Sequence, residues 1–374
     1  MKIGIVLGHA LPFPPARGGG IEKLYAILAG EFVRRGHQVT VYSRALPGLP
    51  GEETDGCGIR HIRVAGCDWT GHNSRDALHA WKWAWRLRRA IQPADVTLFN
   101  TLFAFALLRG PQYGVRILTI HRTPTWKVKL FAGFDRIYAA SDAVVGQILE
   151  IAPQLRQVKR IYNCVDPGER PFAAPAAAKP GLTFLYLGRF VADKGLEHLI
   201  RGFEQARSRF PGNRLLTVGP QTSEEGGDTA FFRRMCAYVA GHKLQSSISF
   251  RRPLYDPQRL RRCVDEADVI CVPTLSGETF SMAVLEAMAA GKPALVSDFG
   301  PMPEAVEHLV SGYISRAADA GSIAAGMEYF SEDLSRAALC GEQARRKLER
   351  EFSAAHIAQE YLDDFARLLA GKAA

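Results

Sequence analysis

Short apolar runs alternate with loops and amphipathic stretches along this chain, and a tract of Pro and Ala splits the alternation in two. Ile3 to Leu7 is an apolar run, and after a loop the apolar positions Leu24, Ile27, Leu28, Phe32 and Val33 recur at three and four. Val39 to Tyr42 is apolar or β-branched again, so strand, helix and strand are expected in that order. Further strands are expected at Asp95 to Phe99, Ile117 to Ile120 and Asp135 to Ala139, with a helix over Ser141 to Glu150. Residues 167–180 then hold four prolines, five alanines and no periodic pattern, which reads as a linker. The alternation restarts at Leu182 to Leu187, continues through Leu215 to Gly219, Ile248 to Phe250 and Val269 to Val272, and ends mainly helical from Ala318 to Ala370. Strands alternating with helices imply a mostly parallel sheet covered by helices, twice over: the fold class is α/β in two domains.

Length agrees, since 374 residues suit two cores of ordinary size. Charge separates the halves. Residues 1–170 hold 23 Lys and Arg against 13 Asp and Glu, whereas residues 171–374 hold 24 against 25. A basic first half points to phosphates, anionic lipid or nucleic acid as its partner, unless the charge only keeps the surface solvated; no nucleic-acid motif is present. The seven cysteines are odd in number and include no C-x-x-C pair, which argues against a disulfide framework or structural zinc site and suits a reducing cytoplasm. No apolar run approaches the roughly 20 residues of a membrane span. Met1 to Gly8 reads as a first buried strand rather than a signal peptide. No close pair of aspartates ends an expected strand, and Asp265 and Asp268 look helical, so no dedicated metal site is indicated.

Five stretches carry candidate chemistry. In Gly277-Glu278-Thr279-Phe280-Ser281-Met282 a loop feeds a helix expected over Phe280 to Ala290 and stopped by Gly291 and Pro293. Glu278 and Glu286 lie eight apart, which on a helix puts two carboxylates within a quarter turn. The unpaired N–H groups of that first turn welcome a phosphate; alternatively, Glu278 is an acid favoured by the helix dipole and Glu286 is merely solvated. Arg189 and Lys194, on the loop Gly188 to Gly195 after a strand, offer two cations to a diphosphate or are two surface bases. Gly18-Gly19-Gly20 precedes a helix, either for close backbone approach to a ligand or as a flexible loop. His121 follows a buried strand at the edge where such sheets keep ligands, or is structural. Trp81, Trp83 and Trp85 among Lys82, Arg86, Arg88 and Arg89 suit either an interfacial membrane helix or partial burial in a core.

Taken in order, Gly19-Gly20-Ile21-Glu22, Asn163-Cys164-Val165-Asp166, the Gly188-Arg189 to Lys194-Gly195 loop and Glu278 to Glu286 with Gly291-Lys292-Pro293 resemble the retaining glycosyltransferases of family 4. The resemblance covers essentially the whole chain. It implies the GT-B fold, with two Rossmann-like β/α/β domains facing each other across a cleft. These would be an acceptor-binding domain at 1–170, joined by a C-terminal helix at 352–374, and a nucleotide-sugar-binding domain at 171–351. It also implies roles. Glu286 would hold the nucleotide ribose and Glu278 the donor sugar's hydroxyls. Arg189 and Lys194 would neutralise the leaving diphosphate, helped by backbone N–H groups of Phe280, Ser281 and Met282. Gly19 and Gly20 would close on the phosphates, and His121 would touch sugar or acceptor.

The activity so implied is metal-independent hexosyl transfer with retained configuration from a UDP- or GDP-linked sugar to a saccharide or lipid-linked acceptor, in cell-envelope or exopolysaccharide biosynthesis. The donor is a substrate, and no cofactor or covalent nucleophile is expected. The protein would be cytoplasmic, or peripheral on the inner face of an anionic membrane through its basic first domain. Alternatively, the chain is a nucleotide-sugar 2-epimerase of the same fold or a non-catalytic nucleotide-sugar-binding protein. Ser281 stands where the family usually has glycine, and Cys164 replaces a common glycine, which bears on donor preference.

Overall fold

The computed structural model describes residues 1–15, 19–68, 70, 73–100, 108–168 and 180–373. Gly18 and linker residues 169–179 lie outside that set. The chain divides into two compact units, Met1–Cys164 with Ala354–Ala374, and Val165–Ser353. The expected boundaries at 170 and 352 are corrected by particular bonds. Val165 bridges to Ser353, and its N–H donates to the Phe352 carbonyl (3.3 Å). The Arg345 guanidinium donates to the carbonyls of Pro167 (3.0 Å) and Gly168 (3.1 Å). Residues 165–168 are therefore held by the second unit's own last helix.

The first unit runs β1 (Lys2–Val6), α1 (Gly20–Arg34), β2 (Gln38–Arg44), β3 (Glu52–Thr54), β4 (Arg60–Val64), α2 (Asn73–Ala90), β5 (Val96–Phe99), β6 (Val115–Ile120), β7 (Arg136–Ala139), α3 (Asp142–Ile151) and β8 (Val158–Arg160). Its sheet has the order β3-β4-β2-β1-β5-β6-β7-β8, parallel except for the polar edge hairpin β3–β4. Alternate residues feed opposite faces: Ile3 and Ile5 of β1 enter one apolar cluster, and Val6 enters the other.

The second unit runs β9 (Thr183–Leu187), α4 (Leu196–Arg209), β10 (Arg214–Val218), α5 (Thr229–Gly241), β11 (Ile248–Arg251), α6 (Pro257–Glu266), β12 (Val269–Val272), α7 (Met282–Ala289), β13 (Ala294–Ser297), α8 (Met302–Ala305), β14 (Gly312–Ser315), α9 (Ala320–Glu332) and α10 (Leu334–Lys347). A π-helical turn (Leu348–Phe352) follows, and then α11 (Ala354–Ala373), which lies in the first unit. There Ile357, Ala358, Tyr361 and Phe365 join the cluster formed by Ile3, Leu28 and Phe32. The buried Asp364 fastens α11 by accepting from Arg136 (3.0 Å) and the Tyr138 hydroxyl (2.8 Å). The second sheet, β11-β10-β9-β12-β13-β14, is parallel throughout.

Register in both sheets is set by one device. An aspartate just ahead of a strand accepts from an N–H of the first or second residue of its neighbour: Asp95 from Lys2 (2.7 Å), Asp135 from Arg116 (2.7 Å) and Asp268 from Thr183 (2.8 Å). Asp268 is thus not helical as expected. Helix α6 ends at Glu266, and Asp268 ties β12 to β9.

In each sheet the strand order reverses beside the first strand. β1 lies between β2 and β5, and β9 lies between β10 and β12. Chains leaving the carboxyl ends of such neighbours diverge and leave a crevice.

Candidate active site

The helices that start at these reversals differ from five of the others in how they begin. Helices α3, α5, α6, α9 and α10 each begin at a Ser or Asp whose side chain accepts a first-turn N–H. Helices α1, α4 and α7 have Gly19, Gly195 and Ser281 at that position, and none makes a side-chain cap bond. At α4 and α7 the N-terminal donors are left for another acceptor, and the dipole favours an anionic one, whereas at α1 the Glu22 carboxylate folds back over the helix start.

In the second unit the loops after β9 and β12 are stitched together. The Leu275 N–H donates to the Asp193 carbonyl (2.8 Å), and Gly195, at φ +71°, lies against the Pro273 carbonyl. This contact puts Lys194 Nζ 3.0 Å from Glu278 Oε2, each side chain about a fifth exposed. Arg189 is exposed on the same loop, and its guanidinium has no carboxylate partner among the described residues. Its carbonyl accepts from the Tyr186 hydroxyl (2.7 Å). Burial, reinforced by the carboxylates of Asp193 and Glu278, drives that hydroxyl far above its ordinary range, so it remains a neutral donor.

Two expectations about this segment are corrected. Helix α7 starts at Met282, so Phe280 and Ser281 precede it. The Phe280 ring is buried against Phe352, with centroids 5.3 Å apart, and acts as a wedge under the loop. Leu285 makes the first helical bond, to the Ser281 carbonyl, so the first-turn donors belong to Met282, Ala283 and Val284. Glu278 lies in the loop, and helical spacing to Glu286 does not apply. Lys194 and the turn at Gly277 (φ +71°) position Glu278, while Glu286 sits half-buried on α7 itself. Among the described residues no group of three His, Cys, Asp or Glu could hold a metal ion.

In the first unit a cavity of about 370 Å³ opens at the carboxyl edge of β1, β5 and β6, and Gly19, Gly20, Glu22, His121, Arg122 and Lys127 contribute to its wall. Glu22 folds back over Gly19, leaving no room there for a Cβ, and its burial pushes the carboxyl up. Tyr25 donates to Thr119 Oγ1 (2.6 Å) and lies 3.3 Å from His121 Nε2. Burial pushes the His121 imidazole down to about 4, against the opposing pull of Asn163. His121 is therefore a neutral hydrogen-bonding group at physiological pH. Of these, Glu22 and Asn163 stood within motifs already singled out; Tyr25 had no signal beyond its place on an apolar helix face.

The His121 shift has a consequence for stability. The unfolded chain protonates this ring near its ordinary value, and the folded chain does so only near 4. Its contribution is whole above about pH 6.5 and is lost as pH falls toward about 4. The melting temperature of the wild type is expected to fall more steeply between about pH 7 and 5 than that of His121→Gln. Glu22, with its raised carboxyl, acts in the opposite direction in both proteins, so their difference isolates His121. Parallel pH profiles would exclude this assignment.

Two family profiles match consecutive stretches of the chain: Glycosyltransferase Family 4 over residues 18–169, and Glycosyl transferases group 1 over residues 169–347. The chain belongs to the group 1 glycosyltransferases of family 4. This glycosyltransferase is 26% identical over 395 residues to glycogen synthase of Mycobacterium tuberculosis, covering 94% of this chain and 92% of that one. Sucrose-phosphate synthase from Thermosynechococcus elongatus superposes with a TM-score of 0.81 at 19% identity, over 99% of this chain and 100% of that one. HepE from Anabaena, solved in complex with UDP-glucose, gives 0.75 at 16% identity, over 98% and 100%. The fold of the glycosyltransferase is accordingly GT-B, built from the two parallel α/β units described.

Proposed function

We propose that this glycosyltransferase moves a hexose, with retention and without a metal, from a UDP- or GDP-linked sugar to a saccharide or lipid-linked acceptor in polysaccharide or cell-envelope biosynthesis. The observation that carries the reading is the meeting of Lys194 and Glu278 where β9 and β12 diverge, beside the uncapped start of α7. As the sugar–oxygen bond breaks, negative charge grows on the diphosphate. Lys194, Arg189 and the N–H groups of Met282 to Val284 stabilise that charge where it develops. Ser281 borders the same turn. Glu278 accepts from donor-sugar hydroxyls, and Glu286 accepts from the ribose.

Lys194 has three donors, so it keeps one for Glu278 while another meets a phosphate oxygen. The departing phosphate oxygen takes the acceptor's proton on the face it leaves, which retains configuration and needs no protein nucleophile. The cavity of the first unit, with Gly19, Gly20 and neutral His121 in its wall, receives the acceptor. The HepE complex with UDP-glucose and the polysaccharide activity named for glycogen synthase support this choice of donor and pathway.

A thermal-shift panel of UDP- and GDP-sugars tests the proposal. One series should raise the melting temperature with ligand concentration, by about 2.7 kcal/mol of stabilisation at one hundred times its dissociation constant. Glu286→Ala should weaken that shift. A flat response to every nucleotide sugar and to UDP and GDP would overturn the reading.

A further inference from the structure

Helix α2 is apolar on two sides. Its inner side places Trp83, Ala84 and Leu87 in the core cluster on one face of the first sheet, and Ala80 is buried as well. A helix packed in this way is expected to show a polar outer side. Instead Leu78, Trp81 and Trp85, at spacings of three and four, are each about half exposed. The question whether the three tryptophans are interfacial or core divides between them: Trp83 is core, and Trp81 and Trp85 are not.

The rest of the outer side is cationic. Arg75, Lys82, Arg86, Arg88 and Arg89 are all exposed, and the helix's one acid, Asp76, is buried and accepts from the Thr70 N–H and hydroxyl. Arg89 stacks over the Trp85 ring at 3.9 Å. A second segment repeats the composition. In Trp126–Phe131, Val128 and Phe131 enter the same core cluster, whereas Trp126 (64% exposed) and Leu130 face outward beside Lys129. Both segments thus cover the same face of the sheet and turn tryptophan, leucine and cations away from it.

We infer that this face docks on an anionic lipid bilayer, with Trp81, Trp85 and Trp126 seated at the headgroup level and the bases on lipid phosphates. Tryptophan prefers that depth because its ring is apolar and its N–H polar. Each base near an anionic surface adds electrostatic attraction, and buried apolar area adds the rest. No helix of the described residues is long and apolar enough to cross a membrane, so the attachment is peripheral. A protein partner would also cover exposed tryptophan, but an outer side with five bases and no exposed acid matches a uniformly anionic surface better. The placing of a lipid-linked acceptor within reach is a consequence that rests on the transferase reading. Vesicle binding itself does not.

The experiment is co-sedimentation of the full chain with phosphatidylcholine vesicles, with and without phosphatidylglycerol, at low and high salt. Binding is expected only to the anionic vesicles, weakened by salt, with a blue shift of tryptophan emission. Trp81→Ser with Trp85→Ser, and separately Lys82→Glu with Arg89→Glu, should each reduce the bound fraction on the order of ten-fold. Both pairs lie on exposed positions, and an unchanged melting temperature verifies their folding. If one pair melts early, the other decides. The inference is overturned if the wild type stays in the supernatant with anionic vesicles at low salt. It is equally overturned if a folded variant binds as the wild type does, or if Trp81 and Trp85 instead prove necessary for self-association. Donor-induced thermal shifts, read without vesicles, report separately on the transferase reading.

Discussion

Lys194→Ala is expected to lower kcat by on the order of 10²–10³-fold, the loss typical when one preorganised donor to developing negative charge is removed. The strand β9 ends at Leu187, the loop turns through Gly188, and Lys194 falls just ahead of α4, whose N-cap Gly195 carries no side chain to compete for an anion. Lys194 is held at 3.0 Å from Glu278 Oε2, so its ammonium is already aimed when a donor arrives. The charge on the diphosphate is larger in the transition state than in the bound donor, so the loss should fall mainly on kcat rather than KM.

Stability should change little, within about 1 kcal/mol, because a partly exposed pair gains modest Coulomb energy and Glu278 can turn to water. Lys194→Arg restores the charge on a longer, planar group and should recover part of the rate. The measurement is steady-state turnover of the nucleotide sugar identified by thermal shift, alongside a melt of each variant. Wild-type kcat in a folded Lys194→Ala protein would sink the assignment.

How much of this was legible depends on what each residue answers to. The strands were readable because β1, β5, β9 and β12 are buried runs whose apolar character reflects burial alone. The antiparallel β3 was not, since Glu52–Thr54 is short, polar and paired only at the sheet edge. The start of α7 was misplaced because Phe280 extends the helix's apolar pattern while packing against Phe352, a contact no local pattern encodes. The unit boundary was misplaced for the same kind of reason: Val165 is held by Phe352 and Ser353, far along the chain, rather than by the Pro/Ala tract beside it.

The site divides likewise. Residue types at strand ends marked Arg189, Lys194 and Glu278, but that Lys194 meets Glu278 follows from β9 and β12 being neighbours, which is topology. Spacing alone suggested a helical relation between Glu278 and Glu286 that the loop does not have. The missing side-chain caps on α1, α4 and α7 were readable in principle at Gly19 and Gly195, yet only the sheet order shows that these helices start at the reversals.

Gly195→Ala is expected to cost about 3 kcal/mol and to remove most activity together with stability. At φ +71° and ψ 13° an L side chain costs roughly 1–2 kcal/mol in any surroundings. Here the surroundings add to it, because a Cβ at Gly195 would lie 1.9 Å from the Pro273 carbonyl oxygen, and that neighbour is backbone. Relief requires the loop after β12 to move away. That movement breaks the Leu275 N–H to Asp193 carbonyl bond and draws Glu278 from Lys194. For a unit of this size each kcal/mol shifts the melting temperature by about 2–4 °C, so a fall of about 6–12 °C is expected by calorimetry. Gly226→Ala supplies the control: its φ is +92°, but a Cβ there would meet nothing within 4 Å. That variant should lose only the conformational cost, about 1–2 kcal/mol, and keep its turnover. If the two variants melt together and both turn over normally, the loops after β9 and β12 are not coupled through Gly195, and Lys194 must be positioned by something else.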